Sequence, residues 1–350
     1  MGVEKMKAVV VEDREEVNVR DFAMPEPLPG EVLIKIEYCL LCTWEQRIFS
    51  GKSSTPLPFI PGHEAAGIIE SIPEGTTTHF APGDRVVFKT LDHCGHCRYC
   101  YTGADNQCIG TAKKRSYDGI SGSGGLAQYI TLDTGRVFPL YGEIPLQEAA
   151  FAEPLACCIH SVKRSSVALG DTVVIIGAGI MGQLHAVLAR LRGARVIVIE
   201  PDGDRRALAA EQGAHLLIDP FRLDAKEAVL DATGGEGVDI VFVTANNPDL
   251  VVQGIGMLRK AGKIVLYGSF HPSKDLPIDP NMVHYSEIIM TGSSGPATED
   301  FYQASKMLSY GLVKTKKLLQ KIYPIGQAEA AMAASLKPDT YRVGIQLHSE

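Results

Sequence analysis

The chain has 350 residues, 45% of them apolar and 21% charged, with a formal net charge of −7. That length suits two domains of ordinary globular composition. No Lys/Arg-rich run marks a nucleic-acid footprint, and no apolar run reaches membrane-spanning length, so neither a nucleic acid nor a membrane is an expected partner.

The opening MGVEKMKAVVVED has no apolar stretch of secretory type, and the expected location is cytoplasmic. The first half reads as irregular β structure. Apolar runs at 7–11, 32–38, 65–71 and 85–88 are broken by Pro and Gly, and PEPLPG (25–30) and STPLPFIPG (54–62) read as loops. Small antiparallel sheets or a partly open barrel would suit this pattern.

Half of the eight cysteines fall in CGHCRYCYTGADNQC, at Cys94, Cys97, Cys100 and Cys108. In a reducing compartment such a cluster points to a metal rather than to disulfides. Four thiolates close a tetrahedral Zn²⁺ site with no position open for substrate, so the expected role is to staple a loop. An iron–sulfur cluster is the rival, since three thiolates at this spacing also suit it. His93 and His96 sit beside the cluster and read as solvated loop residues.

Near residue 150 the texture changes. PLQEAAFAEPLACCIHSVKR (145–164) reads as helix interrupted at Pro154, with Glu153 as a possible cap. Strand 172–176 runs into GAGIMG, then a helix with Ile180, Leu184, Val187, Leu188 and Leu191 on one face, then strand 194–200. Helices at 204–212, 224–231 and 249–260 alternate with strands at 215–218, 238–243, 263–268 and 287–292. This is the signature of a doubly wound parallel sheet. The tail from 293 reads as helical, returning to a strand at 341–347.

Gly177, Gly179 and Gly182, with Ile180 and Met181 between the last two, form a G-x-G-x-x-G run between a strand and a helix. That context suits a dinucleotide: Gly177 for the turn, Gly179 for approach of the pyrophosphate, Gly182 for close packing, and the helix N-terminus for the phosphates. Glu200, ending the second strand, suits both ribose hydroxyls and repels a 2′-phosphate, which favours NAD over NADP. Arg205 could instead pair with a 2′-phosphate or lie over the adenine.

PGHEAAG (61–67), GDRVV (83–87), the four-cysteine lobe, GGLAQYI (124–130), AEPL-x4-H (152–160) and GAGIMG with Glu200 run through nearly the whole chain. On these motifs the chain resembles the zinc-containing medium-chain dehydrogenase/reductases, nearest the sorbitol (polyol) and threonine dehydrogenase branch. The resemblance implies an α/β protein with a GroES-like β-rich catalytic domain (1–153 and 293–350) and a doubly wound Rossmann domain (154–292). It implies a catalytic zinc on Cys42 and His63, with Glu64 or Glu153 as third ligand, and a structural zinc on Cys94, Cys97, Cys100 and Cys108. It further implies NAD-dependent oxidation of a small-molecule secondary alcohol, and a homodimer or homotetramer. Threonine-like amino-alcohol oxidation, a zinc-independent reductase and a non-catalytic dinucleotide-binding protein are the alternatives. One departure concerns the proton relay: the family's hydroxyl position falls on Trp44, leaving Thr43, Glu45 or water as substitutes, or a substrate that needs no relay. Trp44 would stack on substrate or pack the core. Cys157 and Cys158 read as small apolar helix residues; His79, His160, His185, His215, His271, His284 and His348 read as surface or satisfied histidines.

Overall fold

EVLIKIEYCL alternates apolar and polar positions, and as the strand Glu31–Leu40 it buries Val32, Ile34 and Ile36. Each such side chain, fully buried, contributes about 1.5–3 kcal/mol. This is a computed structural model; it describes residues 4–110, 115–270, 273–338 and 340–348, so His271 lies outside the described residues. The chain divides into two units, Met1–Ala156 with Ala297–Glu350, and Cys157–Pro296.

In the first unit Glu31–Leu40 is central. It pairs antiparallel with Arg342–Gln346, Glu64–Ser71 and Tyr129–Asp133. Leu319–Pro324 lies parallel to Arg342–Gln346, while Arg85–Phe88 and Val137–Pro139 extend the other side. A separate hairpin joins Lys5–Asp13 to Glu16–Ala23. Helix Ala328–Ser335 brings Ala331 and Met332 to the core formed by Ile34, Phe88 and Ile345. The strand register places the site residues. Leu40 faces Glu64 on one side and Gly344 on the other, and the Leu41 N–H donates to Val343 O at 2.9 Å. The chain therefore leaves the sheet at Cys42 with Glu64 and Arg342 on the flanking strands.

The second unit is a six-stranded parallel sheet. Its order is Leu216–Ile218, Arg195–Ile199, Thr172–Ile176, Val238–Val243, Leu258–Leu266, Ile289–Gly292. Val173 to Ile176 are all buried, as a strand covered on both faces requires. The order reverses between Thr172–Ile176 and Val238–Val243, the crevice where such sheets bind ligands.

Several expectations need correction. The helix at 249–260 ends at Ile255, and the next strand begins at Leu258. Ala261, at φ +58°, accompanies the register shift that carries the strand from Leu258 to Lys263. Pro154 does not interrupt its helix. The break is at 150–151, and Ala152–Ser165 starts before Pro154, which sits in the first turn where a missing N–H costs nothing. Glu153 is thus inside the helix, not its cap. Leu191 is exposed, off the buried face. The tail contains an unforeseen strand, Leu319–Pro324. Among the described residues no helix is long and apolar enough to cross a membrane.

Candidate metal centres and nucleotide-binding turn

TWEQRIF folds as the short helix Thr43–Phe49, which the sequence pattern does not announce, with Cys42 at its N-cap. Glu45, fully buried at the third helical position, accepts the Cys42 N–H through Oε2 at 3.0 Å. Its Oε1 accepts the Gly62 N–H at 3.1 Å and lies 2.7 Å from His63 Nδ1. A carboxylate only accepts, so His63 Nδ1 carries the proton and Nε2 keeps its lone pair, the arrangement that orients metal-ligating histidines. Burial opposes charge on His63, but Glu45, a bond to the Cys42 sulfur and the field of Glu153 outweigh it and raise its pKa well above 6.5, so a metal ion at Nε2 would take the place of a proton there.

Glu64, also fully buried, is held bidentately by Arg342, with Nε to Oε2 at 2.8 Å and Nη2 to Oε1 at 2.6 Å. Burial of Arg342 works against its charge, yet Glu64 and Cys42 raise its pKa. One ligand atom each from Cys42, His63 and Glu64 lie within 4.8 Å of one another. Glu153 is not in that group, although its charge bears on both His63 and Arg342. The cluster thus offers a thiol sulfur, an imidazole nitrogen and a carboxylate oxygen to one point. That donor set fits a zinc ion.

Both oxygens of Glu45 are engaged by these bonds. Thr43 is exposed, with Oγ1 3.8 Å from Cys42 Sγ. Trp44 stands edge-on to the rings of His63 and Phe59, at 5.3 and 5.8 Å between centroids, and is only half-buried. Its indole therefore walls the cluster on the His63 side. Glu45 as orienter and Arg342 as clamp were not foreseen as such. A Glu three residues after Cys42 is a capping-box signal; nothing in the sequence ties Arg342 to Glu64.

In the lobe, Cys94, Cys97, Cys100 and Cys108 also bring their sulfurs within 4.8 Å of one another. The Sγ separations of 3.9 Å (Cys94–Cys100), 3.6 Å (Cys97–Cys100) and 3.9 Å (Cys97–Cys108) match the ~3.8 Å edge of a tetrahedron with Zn–S of about 2.3 Å. Backbone N–H groups of Cys94 and Gly110 donate to Cys108 Sγ at 3.2 and 3.3 Å. Backbone bonds at Cys100 and Ile109 pull the Cys97 thiol down to about 6, while burial and the Cys97 sulfur push Cys100 up to about 11. A Cβ on Gly110 would lie 2.4 Å from Cys94 Cβ, so the cradle closes only around glycine. The donor set fits a tetrahedral zinc. His96 turns Nδ1 to Cys94 O at 2.7 Å, away from the sulfurs.

At the end of Thr172–Ile176, Gly177 adopts φ +95°, and a Cβ on Gly182 would stand 1.9 Å from Gly177 O. Gly179 caps helix Ile180–Leu191 with open space where its Cβ would be, and Ile180 and Met181 begin the first turn. Glu200 is buried and accepts the Ala178 N–H at 2.6 Å and the Asp202 N–H at 2.9 Å. It braces the glycine turn as well as ending its strand. Thr244, not foreseen, donates its hydroxyl to Ile176 O and Gly177 O, each at 3.0 Å. The arginine that braces this strand end is Arg206, bonded to Glu200 O at 2.6 Å and paired with Asp219 at 2.9 Å, whereas Arg205 offers its carbonyl to Gln183. Unpaired N–H groups at a helix start beside a sheet's crossover fit a dinucleotide pyrophosphate.

Known proteins match this chain along most of its length. Residues 28–142 match the alcohol dehydrogenase GroES-like domain, and residues 181–310 match the zinc-binding dehydrogenase domain. The sorbitol dehydrogenase of Halalkalibacterium halodurans is 32% identical over 324 residues, covering 91% of this chain and 93% of that protein. The L-threonine 3-dehydrogenase of Caldanaerobacter subterraneus subsp. tengcongensis is 31% identical over 341 residues, covering 95% and 96%. Among solved structures, a zinc-binding dehydrogenase from Sinorhizobium meliloti bound to NADP has a TM-score of 0.89 at 28% identity, over 98% of this chain and 99% of that one.

Proposed function

Because this chain belongs to the zinc-containing medium-chain dehydrogenase/reductases, in the sorbitol and threonine dehydrogenase branch, we propose that it oxidises a secondary alcohol of polyol, cyclitol or sugar type to a ketone with NAD. The observation that carries this reading is the gathering of Cys42, His63 and Glu64 within 4.8 Å. Those residues would hold a zinc ion with one position open, and Glu153 is the alternative carboxylate. Zinc there supplies Lewis-acid polarisation of an alcohol oxygen, easing loss of its proton near neutral pH. Glu45 fixes the tautomer and direction of His63, and Arg342 holds Glu64 in place through two bonds. Trp44 packs one wall, and with Glu45 engaged the alcohol proton passes to Thr43 or to water. Cys94, Cys97, Cys100 and Cys108 would hold a second, structural zinc.

Gly177–Gly182 would cradle the pyrophosphate. Glu200 would meet the adenosine ribose and repel a 2′-phosphate, which favours NAD even though the Sinorhizobium meliloti relative carries NADP. The expected setting is the cytoplasm, as a homodimer or homotetramer. An amino alcohol is the second substrate reading, favoured by the 31% identity to L-threonine 3-dehydrogenase.

The test is reduction of NAD and NADP by zinc-loaded protein over polyols, cyclitols, sugars and L-threonine, with metal content measured on the same sample. Both metal sites filled and NAD reduced by one of these classes is the expected result. A zinc-replete, folded protein that binds NAD and oxidises none of them would make it a non-catalytic dinucleotide-binding protein. Turnover by metal-free protein would make it a zinc-independent reductase.

A further inference from the structure

Arg115, Thr90, Tyr117 and Ser123 form a polar cluster that neither metal set nor the nucleotide turn uses. Arg115 aims Nη1 at two backbone carbonyls, Ser123 O at 2.9 Å and Thr90 O at 3.4 Å. No carboxylate among the described residues forms an ion pair with it. The other buried cations of this unit are matched: Lys89 with Asp105, Arg136 with Asp92, Arg342 with Glu64. The hydroxyls of Thr90 and Ser123, whose carbonyls Arg115 bonds, and of Tyr117 belong to residues only 4%, 6% and 6% exposed, and none has a hydrogen-bond partner among the described residues. Gly124 holds the group together: a Cβ there would lie 2.5 Å from the Tyr117 hydroxyl and 3.1 Å from Arg115 Cδ.

The cluster adjoins the Cys42–His63–Glu64 set through backbone. Gly124 N–H donates to Ile60 O at 3.2 Å, Leu126 N–H to Pro61 O at 3.0 Å, and Gly125 N–H to Gly62 O at 3.0 Å, the residue before His63. Buried hydroxyls are nearly always bonded, and a guanidinium bonded to carbonyls, with Glu31 acting on it through its field only, can still take an anion directly. Three hydroxyl donors beside a planar fork of N–H groups are complementary to an oxyanion.

We propose that this cluster is an oxyanion subsite, receiving the phosphate or carboxylate of an acidic polyol whose carbinol reaches the Cys42–His63–Glu64 set. The carbinol part rests on the dehydrogenase reading; the anion part stands on its own.

Two arms test it on zinc-loaded, NAD-saturated protein, so that the pyrophosphate site is filled. The first compares kcat/KM for a polyol phosphate, an aldonate and the parent neutral polyol. The better anion should exceed the neutral polyol by about tenfold or more, the worth of a charge-assisted bond. That ratio should collapse toward unity in Arg115→Gln and fall partway in Ser123→Ala, which covers a failure of the arginine variant to fold. The larger of the two anion ratios tells phosphate from carboxylate. A wild-type ratio near one, or a ratio that neither variant changes, overturns the subsite. The second arm titrates inorganic phosphate and monitors the melting temperature. A saturable rise in wild type that is lost in Arg115→Gln supports the subsite even if no alcohol is oxidised. No rise, or an equal rise in both proteins, overturns it even if neutral alcohols are oxidised.

Discussion

Two histidines, His63 in the first unit and His185 in the second, are buried beside aromatic rings yet have their pKa values shifted in opposite directions. His63 stands 5.3 Å from Trp44, and His185 stands 4.8 Å from Phe242 and 4.5 Å from Tyr267. The difference is the partner. His63 Nδ1 faces the carboxylate of Glu45, and its pKa rises. His185 gives Nδ1–H to Met181 O at 2.7 Å and accepts the Ser161 hydroxyl at Nε2 at 2.9 Å, and burial drives its pKa down to about 4. Both nitrogens of His185 are spent on neutral groups, so it is core. Of the two, His63 alone pairs a nitrogen with a carboxylate and lies among other ligand atoms. Burial alone does not mark a functional histidine; the charge of its partner does.

The contrast can be broken or sharpened experimentally. The largest effect belongs to His63→Ala, which should lower kcat/KM by on the order of 10³-fold. Its NAD affinity, measured by fluorescence titration, should stay near wild type; comparable loss in His185→Gln would erase the distinction.

Next comes pH. His185 has a folded pKa of about 4 against 6.5 unfolded, so on acidification the unfolded chain takes up the proton first. Its contribution is complete above pH 6.5, declines as pH falls, and is gone below about 4. It amounts to on the order of 3 kcal/mol. Urea unfolding between pH 6.5 and 4 should show a stability slope in wild type that is smaller by up to one proton in His185→Gln. Equal slopes would mean that His185 is already charged in the fold.

Smallest is Glu45→Gln, which places an amide where Cys42 and Gly62 offer N–H groups. It should weaken zinc binding about 10- to 100-fold in a chelator competition, leaving the lobe's zinc unchanged. Unchanged affinity at both sites would reduce Glu45 to a helix cap.

What the sequence disclosed tracks how far apart cooperating residues lie. The four lobe cysteines span 94–108 and the glycine turn six residues, so spacing exposed the first, and spacing with the flanking strand and helix exposed the second. The fold class was legible for the same reason: each strand–helix repeat of the second unit is local. Arg342 and Glu64 lie 278 residues apart and meet only through the pairing of three strands. The helix Thr43–Phe49 has seven residues, too few for its period to emerge, and with it the geometry of Thr43, Trp44 and Glu45 was hidden. Arg206 rather than Arg205 brackets Glu200 because a one-residue step on a helix turns a side chain by about 100°.

The register around Leu40 limits how this protein can change. Surface loops of both units can lengthen over evolution at little cost. An insertion or deletion between Cys39 and Cys42 cannot be absorbed in the same way. It would move the thiol out of step with the strands that present Glu64 and Arg342, dismantling the cluster without touching any of its members. Natural variants and engineered chimaeras should therefore keep the length of that segment fixed while varying its neighbours freely.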